Sequence, residues 1–289
     1  MAEQTSEKSS GECPVPSGIL VIIGGKENKG EQSEKDKNSD NVLPLEVLKT
    51  FVDVIPKKNA VVQVITSASG EGNESFKEYK ALFNKLKIQD VRHMHHQERN
   101  EVIQDDVAKR AAEADAFFFT GGDQLKLTAL YGGTPFLTEL KKRYIRENIV
   151  VGGTSAGAMA LSTPMIISGN NEINSEIKVT TGLEFVKDVC IDTHFIKRGR
   201  FARMAQVVAT NPTCLGIGID EDTAIILRNG VEASIVGSGT VIVIDGFHIT
   251  GSNITSYDEH HAIAMRNLKV HLLSRDDTYK IPQVNPPHK

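Results

Sequence analysis

Ser155 lies in Gly152-Gly-Thr-Ser-Ala-Gly-Ala158, between an apolar run, Asn148-Ile-Val-Val151, and a small-residue run, Ala156 to Leu161. The spacing Gly153-x-Ser155-x-Gly157 is that of a nucleophile elbow, in which a serine projects from a sharp strand-to-helix turn. Such a turn forces strained backbone angles and brings strand and helix close together, which only small neighbours permit. The hydroxyl then stands above a sheet edge, near backbone N–H groups that can hold an oxyanion. The N–H of Ala156 is one candidate donor, and Gly122 of the Gly121-Gly122 turn is a second. A packing turn with a capping serine has the same composition, so other residues must decide between them.

A serine needs a base to become nucleophilic near neutral pH, and histidine has the suitable pKa. Of the nine histidines, His93, His95 and His96 read as a strand end and loop, because no carboxylate stands at helical ligand spacing. His260 and His261 follow Asp258-Glu259, and His288 is near the end of the chain. His194 differs: the apolar run Val189-Cys-Ile-Asp-Thr delivers it into Lys197-Arg-Gly-Arg-Phe-Ala-Arg203. As charge alone this is a solvated helix start. Beside Asp192, however, Arg198, Arg200 and Arg203 can form a cradle for a carboxylate. The carboxylate that orients the imidazole is sought in Gly216-Ile-Gly-Ile-Asp-Glu-Asp-Thr-Ala224. Alternation along that strand does not choose among Asp220, Glu221 and Asp222.

The elements that would position these groups alternate. Ile19–Ile23 is a continuous apolar run of the kind buried on both faces in parallel sheets. Lys26–Asp40 reads as an exposed charged loop, and Pro44 opens a helix marked by Leu45, Leu48, Phe51, Val52 and Ile55. Strands follow at 60–66, 90–94 and 116–119, with helices over 76–86, 102–114, 125–131 and 135–148. This rhythm predicts an α/β fold with a doubly wound, mostly parallel sheet and right-handed crossovers. Beyond Ile219, short strands at 223–227, 232–236 and 240–244 are punctuated by Asn229-Gly230, Gly237 and Asp245-Gly246. These signals predict hairpins that extend the same sheet in antiparallel fashion. The expected organisation is a polar tail over 1–17, a single α/β domain over 18–275 and a tail over 276–289.

Composition narrows the class. The chain has 289 residues, 39% hydrophobic and 24% charged, enough to bury a substantial core. A net charge of −4, no tryptophan and 6% aromatic residues argue against nucleic-acid binding. Cys13, Cys190 and Cys214 are widely spaced, as reduced thiols of a cytoplasmic protein are, and form neither a disulfide framework nor a metal site. Residues 1–17 lack the apolar core of a signal peptide, and no run reaches the roughly 20 apolar residues of a membrane helix. No cofactor or metal is expected.

Five segments in order resemble the cyanophycinase family of serine peptidases, related to the aspartyl dipeptidases. They are Ile22-Ile-Gly-Gly25, Phe119-Thr-Gly-Gly-Asp-Gln124, Gly153-Thr-Ser-Ala-Gly-Ala158, Asp192-x-His-Phe-x-x-Arg-Gly-Arg200 with Arg203, and Gly218-Ile-Asp-Glu-Asp-Thr223. Each alone is weak; together they span most of Ile19 to Ile244. The resemblance implies a class I glutamine-amidotransferase-like (flavodoxin-like) sheet and a homodimer. It implies Ser155 as nucleophile, His194 as base and Glu221 as the orienting carboxylate. It also implies that Gln124, Asp192, Arg198 and Arg203 line the substrate pocket, with Asp192 and Gln124 able to receive a guanidinium or amide. Thr193, flanking that pocket, stands where the family commonly has glutamine, and Lys197 replaces a neutral amide. The implied substrate is cyanophycin, a poly-aspartate bearing arginine on each β-carboxyl, cut to β-Asp-Arg. Two rivals are a dipeptidase acting on Asp-X peptides and a non-catalytic, amidotransferase-like binding protein. Serine in place of cysteine at the elbow disfavours glutamine amidotransfer, and Ile22-Ile-Gly-Gly-Lys26 lacks the G-x-G-x-x-G spacing of a dinucleotide site.

Overall fold

The computed structural model describes residues 14–30, 43–104, 106–169, 177–256 and 263–282. Most of the 1–17 tail, the charged stretch from residue 31 to 40, His260, His261 and residues 283–289 with His288 lie outside the described residues.

The apolar runs form the strands their composition demands. They are β1 (Ile19–Ile23), β2 (Val61–Ile65), β3 (Asp90–Met94), β4 (Ala116–Phe119) and β5 (Val150–Thr154). They lie in the order β1-β5-β4-β2-β3, all parallel, so their carboxyl ends share one edge. Both faces are covered, as continuous apolar strands require. Phe117 and Phe119 point into one core cluster with Leu20, Ile22 and Val151, while Phe118 joins the opposite cluster with Val21, Val62 and Val64. That second cluster is closed by α1 (Glu46–Asp53) and α2 (Gly72–Lys85) through Leu48, Phe51 and Phe83. The first is closed by α3 (Arg99–Gln104), α4 (Val107–Glu113), α5 (Gln124–Tyr131), α6 (Pro135–Arg146) and α7 (Ala156–Ala160). The single helix expected over 102–114 is thus two, α3 ending at Gln104 and α4 starting at Val107 after Asp106, a residue of low helix propensity.

The second half departs further from expectation. After the short strands β6 (Ser162–Thr163), β7 (Met165–Ser168), β8 (Lys178–Thr180) and β9 (Val186–Lys187) come β10 (Val189–Thr193), α8 (Phe201–Thr210) and β11 (Leu215–Ile219). Next are β12 (Thr223–Arg228), β13 (Glu232–Gly237), β14 (Val241–Asp245), β15 (Gly251–Ser252), β16 (Met265–Arg266), β17 (Lys269–Leu273) and β18 (Thr278–Lys280). The strands β12, β13 and β18 extend the large sheet antiparallel from β1, as anticipated for the first two. The third expected strand, β14, does not join them. It pairs with β11 in a second sheet of order β17-β14-β11-β10-β6-β9. The two sheets share a core, because Ile191, Ile217 and Val243 of the second meet the cluster holding Ile225, Leu227 and Ile235 of the first. On its other side the second sheet packs on α8 through Cys190, Met204, Val208 and Ile244. β10 and β11 are parallel, so their carboxyl ends also open at one edge.

The turn from β5 to α7 depends on missing side chains. A Cβ on Gly157 would stand 2.1 Å from the Phe119 carbonyl oxygen, and one on Gly153 would stand 2.5 Å from the Gly157 carbonyl carbon. Gly157→Ala must therefore part α7 from β4 and is expected to cost about 1–3 kcal/mol, as overpacking does. Urea unfolding measures this, and an unchanged midpoint would show that the crossing opens freely.

Candidate active site

The site assembles where the ends of β1, β5, β10 and β11 meet, the edge at which open α/β sheets receive ligands. Ser155, at the β5–α7 turn, has φ 52° and ψ −116°. His194, immediately after β10, has φ 49°, and Asp222, next to Glu221, has φ 50°. Such angles are costly for residues with a side chain, and they gather at sites where geometry is over-determined. Here the turns bring three side chains into line. Ser155 Oγ lies 2.9 Å from His194 Nε2, and His194 Nδ1 lies 2.9 Å from Glu221 Oε1. Of the three acids that the strand pattern left open, Glu221 is the one against the imidazole. Asp220 Oδ1 instead accepts from the Lys197 N–H at 3.3 Å, and Asp222 Oδ1 from the Asn28 N–H at 2.7 Å.

The electrostatics suit proton acceptance by His194. Burial pushes its pKa below the usual histidine value, and Arg198 and Arg200 push the same way against the hydrogen bond and charge of Glu221. For Glu221, burial opposes ionisation, but the His194 hydrogen bond and the Lys26 ammonium outweigh it and hold the carboxyl below its usual range. Lys26 Nζ is 3.6 Å from Glu221 Oε1. A neutral imidazole facing a hydroxyl, with its far nitrogen against a carboxylate, is the arrangement that can deprotonate a serine.

Ser155 opens into a cavity of about 270 Å³, whose lining includes Gly122, Gln124, Ala156, Thr193, Arg198, Arg200 and Arg203. Gly122 and Ala156, the two candidate oxyanion donors, thus flank Ser155. Among the described residues the lining carries three arginines and no carboxylate. Asp192 is absent from it, which corrects the expectation of a guanidinium acceptor. Its side chain is fully buried behind the arginines. Arg203 Nε donates to Oδ2 at 2.6 Å and Nη2 to Oδ1 at 2.5 Å, while Arg200 Nη1 donates to Oδ1 at 2.9 Å. With the Thr193 N–H also on Oδ1 at 2.8 Å, Asp192 is occupied in holding the arginines, not in binding from the cavity. Gln124 does line the cavity, but its Nε2 donates to the Ile166 carbonyl at 2.7 Å. That leaves its Oε1 as the face for a ligand. The Thr193 hydroxyl is buried and has no hydrogen-bond partner among the described residues.

One residue was read in part and one escaped. Arg200 was expected in the carboxylate cradle and lines the cavity, but the run did not tell that it also pairs with Asp192. Glu27 fell in a stretch assigned as exposed loop, yet it is 5% exposed and bonded to Thr154, the neighbour of Ser155. Its only sequence signal is an acid two residues beyond a Gly-Gly strand end. The cluster of His93, His95 and His96 lies apart. Thr66 Oγ1 bonds His93 Nε2 at 2.7 Å and His95 Nδ1 at 3.0 Å, and His96 Nδ1 meets the Tyr131 hydroxyl at 3.0 Å. Among the described residues, no group of three or more His, Cys, Asp or Glu side chains is placed to hold a metal ion, and no helix is long and apolar enough to cross a membrane.

The family model of peptidase family S51 matches residues 33–235. Curated relatives named cyanophycinase are similar over nearly the whole chain. Those of Synechococcus elongatus and Thermosynechococcus vestitus are 32% identical over 275 residues, 94% of this chain and 82% of theirs. That of Geminocystis herdmanii is 30% identical over 263 residues, 90% of this chain and 92% of its own. Among solved structures, a peptidase from an acI-B1 Actinobacterium has a TM-score of 0.63 at 20% identity, covering 93% of this chain and 98% of that one. A putative peptidase E from Listeria monocytogenes has a TM-score of 0.51 at 16% identity, covering 77% of this chain and 99% of its own. These two likenesses are of fold: mixed α/β with a mostly parallel central sheet.

The Asp192 cluster makes a stability prediction. Asp192→Ala leaves two largely buried guanidiniums without their carboxylate, and breaking a buried pair in this way costs about 3–5 kcal/mol. Thermal and urea unfolding of the purified variant test this. A loss under about 1 kcal/mol would mean that water replaces the carboxylate readily.

Proposed function

From the premise that the chain belongs to peptidase family S51 and is a serine-type peptidase, we propose that it hydrolyses cyanophycin to β-Asp-Arg through Ser155, His194 and Glu221. The observation that carries the chemistry is the continuous contact from Ser155 Oγ through the imidazole to Glu221, 2.9 Å at each step. In this reading His194 Nε2 takes the Ser155 proton as Oγ attacks the substrate carbonyl carbon. Glu221 keeps the other ring proton on Nδ1 and stabilises the imidazolium that forms. The N–H groups of Gly122 and Ala156 receive the oxyanion; one such donor is worth about 3–4 kcal/mol of barrier. His194 then protonates the leaving amine, and water repeats the sequence on the acyl-enzyme. The parallel half of the large sheet, with its elbow, is read as class I glutamine-amidotransferase-like.

The substrate reading rests on the cyanophycinase relatives and on the arginines. A β-Asp-Arg unit carries a free carboxylate on its arginine, and Arg198, Arg200 and Arg203 offer forked donors for it. A second reading is favoured by Asp192. Because that acid is taken up by Arg200 and Arg203, the described lining of the cavity presents Gln124 Oε1 and hydroxyls to a substrate guanidinium. A dipeptidase cleaving Asp-X needs no guanidinium site and would set its aspartyl carboxylate on the same arginines.

Incubating the purified protein with cyanophycin granules and with Asp-X dipeptides separates the two, with β-Asp-Arg identified by mass spectrometry. Release of β-Asp-Arg is expected; cleavage of Asp-X alone would transfer the assignment. Ser155→Ala is expected to lose about four or more orders of magnitude in kcat with its melting temperature unchanged. Retained turnover would sink the nucleophile assignment, and failure of the native protein to react with a fluorophosphonate would favour a binding protein. The pH dependence has a definite sign. His194 must be neutral to accept the proton, and its pKa is depressed. Log kcat/KM should therefore rise with unit slope and level off below about pH 6.5, the ordinary histidine value. An acid limb centred above neutrality would contradict the buried base.

A further inference from the structure

Glu27 is a buried carboxylate that the proposed reaction does not use, and burying a charge is costly unless its bonds return something. Its partners are two hydroxyls. Tyr79 Oη donates to Oε1, and Thr154 Oγ1 donates to Oε2 at 2.7 Å. Around this pair, Lys29 Nζ lies 4.9 Å from the Tyr79 ring centre and bonds Glu78 at 2.8 Å. Thr154 ends β5 and immediately precedes Ser155. The segment from Ile23 to Glu27 is therefore pinned at both ends to the nucleophile strand. At one end the Ser155 N–H donates to the Ile23 carbonyl at 3.1 Å; at the other Glu27 holds Thr154.

The three residues between these pins touch the other two members of the site. The Gly24 carbonyl accepts from the His194 N–H at 2.9 Å, and the Gly25 carbonyl accepts from the Asp222 N–H at 3.0 Å. Gly25, at φ 97°, has the imidazole so close that a Cβ there would stand 2.5 Å from His194 Cε1 and Nε2. Lys26 reaches Glu221. Backbone at residues 24–26 is thus the wall on which the imidazole rests and the support of its carboxylate. Beyond the segment, Arg198 and Arg200 are the remaining charges that act on His194.

We propose that Glu27 is a positioning residue for the Ser155–His194–Glu221 array: by holding Thr154 and Tyr79 it fixes residues 24–26 against His194 and Glu221. The inference rests on the serine-peptidase reading of Ser155 given above. Without the carboxylate the Thr154 and Tyr79 hydroxyls lose their shared acceptor, and the segment keeps its backbone bonds to Ser155, His194 and Asp222 but loses its side-chain tie to β5. Displacements of about 1 Å in such a wall cost up to about a hundredfold in rate while leaving binding nearly intact. The cavity lined by Ser155 and the three arginines does not include Glu27 in its lining.

The test uses the full chain and two readouts: the second-order rate of Ser155 labelling by a fluorophosphonate, and kcat and KM for the peptide substrate. Glu27→Ala is expected to slow labelling and kcat by about a hundredfold, with KM within about twofold. Glu27→Gln, whose amide can still accept from Tyr79 and reach Thr154, should return both rates to within about threefold of the native protein. Tyr79→Phe keeps one of the two anchors and should lose about three- to tenfold, which preserves the test if Glu27→Ala does not fold. The control is Phe136→Leu, a core change in α6 away from the segment, compared at matched melting temperature. Native-like labelling by folded Glu27→Ala, or by Tyr79→Phe where the alanine variant does not fold, would overturn the inference; so would an equal loss in the control. A native protein that does not label at all sinks the serine-peptidase reading before any substitution is made, so the two failures are distinct.

Discussion

Three successive carbonyl groups, those of Ile23, Gly24 and Gly25, accept the backbone N–H groups of Ser155, His194 and Asp222 at 3.1, 2.9 and 3.0 Å. The residues that donate come from three different strand ends and lie far apart in the chain. What fixes their separations is thus the repeat of one extended backbone, a far stiffer ruler than side-chain rotamers. Each donor residue accepts a left-handed backbone to meet it, at a cost of order 1–3 kcal/mol apiece. That strain is sustainable because the hydrogen bonds are buried and the turns cannot relax without breaking them. The same segment then explains why β1 must be central: β5 pairs on one side of it and β12 on the other, so the strand that leads to Ser155 and the strand that leaves Glu221 both run along it.

The parallel half of the fold was readable because its signal is local. A run such as Ala116-Phe-Phe-Phe119 has no polar face, so it must be covered on both sides, and the strand lies within those bounds. Asp90–Met94 is likewise bounded as the sequence pattern suggests. The second sheet was not readable, for an equally physical reason. Val241–Asp245 is a continuous apolar run up to its last residue and suits either sheet. Only its register with β11, Ile217 opposite Val243, decides, and that pairing is between residues whose patterns would fit other partners. Asn229-Gly230 correctly marks the β12–β13 hairpin, but Gly237 is where the chain leaves one sheet for the other.

For the site, residue types were legible and ownership of charge was not. Ser155, His194 and the acidic turn stand out because their chemistry is specific and each sits at a strand end. A charged run, in contrast, does not state which acid neutralises which base. Asp192 beside Arg198, Arg200 and Arg203 is equally consistent with a receptor for a cationic substrate and with an internal counter-ion, and full burial decides for the latter. Glu27 shows the converse error. Charged neighbours made its segment look solvated, while the carboxylate itself is folded inward onto two hydroxyls.

These two buried acids divide the site between them. Asp192 lies in β10 two residues before His194, and through Arg200 and Arg203 it fixes the cationic face of the cavity. Arg200 also donates to the Thr193 carbonyl at 2.8 Å, tying that face to the strand end that carries the imidazole. Glu27 secures the opposite wall, behind the ring. The arginines that line the cavity are therefore joined to the strand that carries His194, and His194 is backed by a segment joined to Ser155. Thr193 lines the cavity, and among the described residues its buried hydroxyl has no hydrogen-bond partner, so a change of side chain there can alter the cavity without breaking the bonds of Asp192 or Glu27. Substrate choice in such a site can change while its chemistry stays in place.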